Sequence, residues 1–181
     1  KDLIFLNINV FINNKSINFI LSKHDQLCFK YIMGKVLEIG ISMNKGGKII
    51  NVNNIEVIKN QGIVGDRYNK QDNDKRSQIT LIEIENINYY NQLSQVSIPP
   101  INFRRNIITK NIKLNELVGK TFNIGKIKLM THDLCRPCKY LQNLLKQDNI
   151  IKEFMRKGGL RCEILSSGTI SVGDLINTKN D

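Results

Sequence analysis

The segment "HDLCRPCKYLQ", residues 132–142, sets two cysteines, an arginine and a proline directly ahead of a helical pattern. Proline suits the first position of a helix, where its missing N–H has no partner to lose. With Pro137 there, Cys138 becomes the second helical residue, among unpaired backbone N–H groups at the positive end of the helix dipole. Arg136 and Lys139 flank it. Such surroundings favour a nucleophilic or metal-ligating sulfur. Cys135 precedes the helix and lacks that advantage. Four roles compete for this segment: an inert packed cysteine, a redox dithiol, a zinc site recruiting His132, Cys135, Cys138 and Cys162, and one activated sulfur. A redox CxxC belongs after a strand in a βαβ setting, which the strand-rich pattern does not suggest. No second CxxC or H-x-H motif completes a zinc set nearby.

Two other segments carry donors for an anion. "GIVGDRY", residues 62–68, has glycines around a tight turn ahead of Asp66 and Arg67. Such a turn can aim backbone N–H groups and a guanidinium at one spot; an ordinary loop with a solvated Asp–Arg pair has the same letters. "NFRRNIIT", residues 102–109, reads as a strand, so alternation sets Arg104 and Asn106 on one face and turns Arg105 to the other. Paired donors suit a phosphate or the edge of a pterin. An edge strand guarded by charge against aggregation is the plainer reading.

The formal net charge of +11 invites a nucleic-acid reading. The lysines are scattered, however, and no basic run is interleaved with aromatics as a single-strand binder needs. Six arginines, Arg67, Arg76, Arg104, Arg105, Arg136 and Arg161, fall in or beside turn-prone segments. Their fixed forks suit phosphate and carboxylate better than a lysine's point charge does, so a small anionic ligand fits at least as well as a polynucleotide. Four cysteines in 181 residues are too few and scattered for a disulfide scaffold, which points to a reducing compartment such as the cytoplasm. No apolar stretch is long enough to span a bilayer, and no membrane partner is expected. The apolar start "KDLIFLNINVFIN" lacks a small-residue cleavage site, although the missing initiator Met leaves room for a removed leader.

Positioning these residues falls mostly to strands. "LIFLNINVFI" and "INFILS" form a hairpin pattern, and "GKVLEIGISMN", "SQITLI", "TFNIGKIKLMTH" and "LRCEILSSGTISVGDLI" continue the style with glycines at the joints. Cys162 alternates with Ile164 and reads as core. Helical patterns are fewer: "EIENINYYNQL", a short "KLNELVG", "RPCKYLQNLLKQ", and "NIIKEFMRKGG" capped by Gly158 or Gly159. The predicted class is mainly β with inserted helices (α+β), closed or nearly closed into a barrel.

Taken in order, "GKV" from Gly34, "GIVGDRY", "SQITLIEIENI", "RRNIIT", "LNELVGKTFNIG", "LCRPCKYLQ", "GGLRCEIL" and "GTISVGD" resemble the MOSC family. This domain stands at the C-terminus of molybdenum cofactor sulfurases and alone in small bacterial proteins. The resemblance implies a MOSC-like β-barrel over residues 34–177; residues 1–32 have no counterpart in it, so 1–33 is expected as an added N-terminal hairpin packed on the barrel, and 178–181 as a tail. It also implies binding of molybdenum cofactor (molybdopterin) or a related anionic pterin. Cys138 is then the catalytic residue, as sulfur carrier or as metal ligand to molybdenum. Gly65, Asp66, Arg67, Arg104, Asn106 and Arg136 are the implied cofactor-binding residues. The implied activities are sulfur transfer, or molybdenum-dependent oxidoreduction of N-hydroxylated compounds, with a sulfur donor or acceptor protein as partner. The pyridoxal-phosphate domain of the large relatives has no counterpart, and Lys157 stands where an arginine often precedes the glycine pair. The alternatives are a non-enzymatic basic barrel that binds nucleic acid and a structural zinc domain.

Overall fold

The computed structural model describes residues 6–12, 15–21 and 33–178. The chain divides into two compact units, Lys1–Met33 and Gly34–Asp181. In the first, β1 (Leu6–Ile12) and β2 (Lys15–Leu21) pair antiparallel with Ile12 opposite Lys15, so the expected hairpin forms. Cys28 and His24 lie outside the described residues.

The second unit is built on one curled eight-stranded sheet. Strands β3 (Lys35–Ile41), β7 (Ile79–Glu83), β8 (Ile107–Lys110), β9 (Thr121–Ile124), β10 (Ile127–Leu134), β11 (Leu160–Ile164) and β13 (Ile176–Asn177) follow the spatial order β13-β9-β10-β11-β7-β8-β3, and β4 (Ile50–Val52) adds an edge. Curling brings β13 round to the start of β3. Val36 N–H donates to the Asp174 carbonyl, Gly173 N–H to that of Val36, and Ile176 N–H to that of Gly34. A small second sheet, β12-β5-β6, comprises Gly168–Ser171, Asn54–Ile58 and Gly62–Ile63.

Alternation along the strands sorts the apolar residues into two cores. Ile79, Leu81, Ile107, Leu129, Leu160, Cys162 and Ile164 fill the inner face and are fully buried. Ile82 and Ile108, one residue along, face outward beneath the helices with Ile87, Tyr90, Phe103, Leu141, Ile150 and Phe154. Tyr90, Phe103 and Phe154 meet with ring centroids 5.0–6.1 Å apart, an arrangement that adds specificity to plain burial. Glu83 closes the far end of β7, accepting from Leu114 N–H and Asn86 Nδ2; burial pushes its carboxyl pKa up.

Three expectations need correction. A βαβ unit does exist, because β7 and β8 run parallel and are joined through α1 (Ile84–Leu93) and the 3₁₀ turn Pro100–Phe103. The CxxC segment nevertheless follows β10, outside that unit. Helix α2 runs from Lys139 to Leu145, and Cys138 is its N-cap with extended backbone (φ −137°, ψ 157°), not its second residue. The chain stays extended from β10 because Cys135 N–H is tied to the Gly159 carbonyl at 2.7 Å. Helix α3 is a single turn, Ile150–Glu153, capped at Phe154. The glycine pair serves another purpose. A Cβ on Gly158 would collide with the Cys135 carbonyl, and one on Gly159 (φ +90°) with that of Leu81, so both must be glycine for β7, β11 and the 133–137 segment to approach this closely.

Candidate functional site

The outer face of the sheet, where helices leave it uncovered, carries a depression of about 140 Å³. Thr80 and Arg161 are cross-strand partners on β7 and β11. Their neighbours Ile79 and Cys162 point into the inner core, so alternation turns Thr80 and Arg161 outward together. Asn106 stands beside Thr80 at the entry to β8. Its Oδ1 accepts from Thr80 N–H at 3.1 Å and from Thr80 Oγ1 at 2.8 Å, while its Nδ2 donates to the Gly40 carbonyl at 3.3 Å. The amide therefore fastens β3 and β7 to the mouth of β8.

Arg104 and Arg105 depart from the strand reading. Arg104 sits in left-handed backbone (φ 60°, ψ 37°) as the cap of the 3₁₀ turn, and β8 starts only at Ile107. That one residue breaks the alternation, so Arg105 does not point away. Arg104 and Arg105 both line the depression. Backbone carbonyls hold each in place: Arg104 Nη1 donates to Gly47 at 2.9 Å, and Arg105 Nε donates to Gly158 at 2.9 Å.

Arg67 arrives from the Gly-turn. Gly65 (φ +79°) makes the bend, but the backbone donors expected to face a ligand are spent inside the fold. Val64 N–H donates to Glu56, Asp66 N–H to Ile63 and Arg67 N–H to Ser42. Asp66 is buried, its Oδ2 accepting from Ser42 N–H and its Oδ1 from Tyr68 N–H, each at 3.0 Å. It holds the turn. Arg67 stacks on Tyr68 with its guanidinium 4.5 Å from the ring centroid. Its buried Nη1 has no hydrogen-bond partner among the described residues, and Asp66 Oδ2 is 3.7 Å away. Four guanidiniums, those of Arg67, Arg104, Arg105 and Arg161, thus line one small depression whose lining contains no carboxylate. In a site of reduced dielectric this charge calls for an anion.

Arg161 is shared with a neighbouring depression lined also by Arg76 and Arg136. All six arginines singled out in the sequence therefore border two adjoining hollows. Arg76 is paired with Asp133 at 3.1 Å, which leaves the first hollow the more cationic.

The cysteines divide sharply. Cys162 is fully buried, near Thr131 Oγ1 at 3.6 Å, and burial pushes its thiol pKa up to about 12. Cys135 is buried, lines the arginine depression, and gives its S–H to the Leu160 carbonyl at 3.2 Å. Cys138 is exposed and is not among the residues lining the depression. It caps α2, whose Tyr140 ring lies 6.0 Å from the Arg104 guanidinium, so it stands at the lip and not across the barrel. The zinc alternative lacks geometry. Among the described residues no three His, Cys, Asp or Glu groups gather to hold a metal, and His132 Nε2 is instead paired with Glu163 Oε2 at 2.9 Å. No helix among the described residues is long and apolar enough to cross a membrane.

With fold and site in view, the comparisons fall into line. The family model of the MOSC domain matches residues 62–177. The chain belongs to the MOSC family. The YuaD protein from Bacillus subtilis has the same fold, with a TM-score of 0.69 at 17% identity, over 80% of this chain and 94% of that one. YiiM from Geobacillus stearothermophilus superposes with a TM-score of 0.64 at 14% identity, over 81% of this chain and 75% of that one. YiiM from Escherichia coli gives 0.60 at 15%, over 82% and 69%. No curated protein matches the sequence. The MOSC fold therefore supplies the curled barrel anticipated from the strand pattern.

Beyond Arg67, Arg104 and Asn106, the depression is lined by Tyr68, Ser77, Thr80, Arg105, Cys135 and Arg161, which the resemblance did not imply as cofactor-binding. A signal for Arg161 existed: if Cys162 is core, its neighbour on the strand faces out. Arg105 had none, because nothing in "NFRRN" announces a left-handed arginine.

Proposed function

We propose that this MOSC protein binds molybdenum cofactor or a related anionic pterin, its anionic group seated among Arg67, Arg104, Arg105 and Arg161. One observation carries the reading: four guanidiniums without a lining carboxylate, one of which keeps a buried donor unpartnered. A hollow of about 140 Å³ suits a phosphate, and the donor set of guanidinium N–H groups fits it chemically. The remainder of such a ligand would extend into the grooves that share Arg104 and Arg161 with this hollow. When bound, the molybdenum centre supplies redox or sulfur-accepting chemistry. The chain's own contribution is to neutralise and orient the anion and to offer a thiolate. Cys138, exposed at the lip, is the residue for that role, as metal ligand or as persulfide carrier facing a sulfur donor or acceptor protein. Cys135 is the poorer choice, since its S–H is committed to a carbonyl.

The test is to purify the chain from a host that makes the cofactor and to measure molybdenum and oxidised-pterin fluorescence. Arg104→Ala removes a charge-assisted bond of roughly 1.5–3 kcal/mol, so bound pterin should fall about tenfold or more. Cys138→Ser should retain pterin and lose sulfur transfer or metal-centred activity. Pterin-free wild-type protein, or full activity in Cys138→Ser, sinks the reading.

A further inference from the structure

Cys135 also lines a second, roomier cleft of the MOSC unit. This cleft has a volume of about 590 Å³ and is walled by Val118, by residues 133–137 at and just past the end of β10, and by Met155 and Arg156. We propose that it is a second ligand site, one that takes an amphipathic organic anion: an apolar body bearing a single carboxylate or sulfonate.

Three observations converge on that occupant. The first is the apolar wall. Leu134 and Pro137 line the cleft with Val118 and Met155, and the last two are 40% and 61% exposed. Exposed apolar side chains that gather in one concave surface of drug-like volume mark a binding cleft more than a plain surface. The second is charge. Arg136 and Arg156 line the same cleft, and among the described residues neither guanidinium pairs with a carboxylate. The only lining carboxylate, Asp133, is engaged by Arg76 at 3.1 Å. The cleft is therefore left with positive charge beside an apolar wall. A neutral apolar ligand would not use the arginines, and a bare phosphate would not use Val118 or Met155.

The third is preorganisation. Asn115 Nδ2 donates to the Arg156 carbonyl at 2.8 Å, tying the 3₁₀ turn Leu114–Leu117 to the 155–156 turn. The opposite wall is anchored by Cys135 N–H on Gly159. Arg156 itself adopts left-handed backbone, φ 62°, a conformation that glycine or asparagine would fill with less strain.

The test employs two probes with nearly the same apolar body, 8-anilinonaphthalene-1-sulfonate and the uncharged N-phenyl-1-naphthylamine, titrated by fluorescence into the full chain at physiological salt. The sulfonate should bind at least tenfold tighter. Arg156→Gly should remove most of that advantage while melting no lower than the parent, because the substitution suits the backbone. Met155→Asp should weaken both probes. Arg67→Ala with Arg104→Ala should leave sulfonate binding unchanged, which separates this cleft from the arginine depression and makes the result independent of pterin binding. Lys126→Ala, in the remote turn between β9 and β10, should also change nothing. Equal binding of the two probes, no measurable binding of either, or a loss in the Arg67/Arg104 variant as large as in Arg156→Gly would overturn the proposal.

Discussion

The site has two walls of opposite character. The back wall is built from strand residues, Thr80 and Arg161, and from residues that lead into strands, Asn106 before β8 and the Gly158–Gly159 pair before β11, with Asn106 bonded through both its side-chain oxygen and its nitrogen. The front lip is built from connections: Arg136, Cys138, Met155 and Arg156 are exposed. Apart from the Asn115 bond to the Arg156 backbone, none of them is fixed by a side-chain ion pair or hydrogen bond among the described residues in the way Arg105 is on Gly158. Hydrogen bonding is concentrated in the first wall and exposure in the second. A MOSC barrel arranged this way can vary its lip without disturbing the strands that hold the arginines.

Substitutions that strike the back wall should break the fold. Gly159→Ala is expected to be the most severe, since it adds a collision with the Leu81 carbonyl to a left-handed backbone; a loss of roughly 2–5 kcal/mol follows. Urea unfolding would measure it, and an unchanged midpoint would mean the strands can part without penalty. Asn106→Ala comes next. It strands Thr80 N–H and the Gly40 carbonyl without their partners, at a cost of about 2–3 kcal/mol, and it should loosen anion binding through displacement of Thr80. If that variant melts like the parent but loses pterin, Asn106 belongs to the ligand and the two walls are less distinct than described.

The lip should show the reverse. Cys138→Ser is expected to shift stability by no more than about 0.5 kcal/mol, as for other exposed substitutions. Limiting iodoacetamide on the native protein, mapped by mass spectrometry, should label Cys138 first, Cys135 far behind, and Cys162 only after unfolding. Exposure sets that order, since Cys135 and Cys162 are 2% and 0% accessible and the Cys162 thiol is pushed up to about 12. Early labelling of Cys135 would mean that the back wall opens on the timescale of the reaction.

The same division explains what could be read from the letters. Strand alternation placed Cys162 and Ile164 in the core and gave the barrel class, because a period of two survives any tertiary context that buries one face. Helix α1 was equally plain. The glycine pair was located correctly, but its role as a contact with the Leu81 and Cys135 carbonyls depends on chain segments far away in sequence, which no local pattern encodes. Arg104 is the instructive failure. A single non-glycine residue in left-handed backbone reversed the facing of Arg105, and arginine carries no mark of that conformation. Cys138 lies two positions nearer the helix start than the proline predicts, for a related reason: the hydrogen bond between Cys135 and Gly159 keeps the chain extended past Pro137.

The three hydrogen bonds that join residues 34–36 to residues 173–176 have a consequence for how this MOSC unit can be handled by evolution. Its first and last strands meet, so entry and exit occupy a single point on the surface. A linker of a few residues could join them, and new ends could be opened in the exposed stretch at Lys70–Asp72 with every strand pairing kept. Such a unit can be circularly permuted, or spliced whole into a loop of a larger host, by a cut made at one spot.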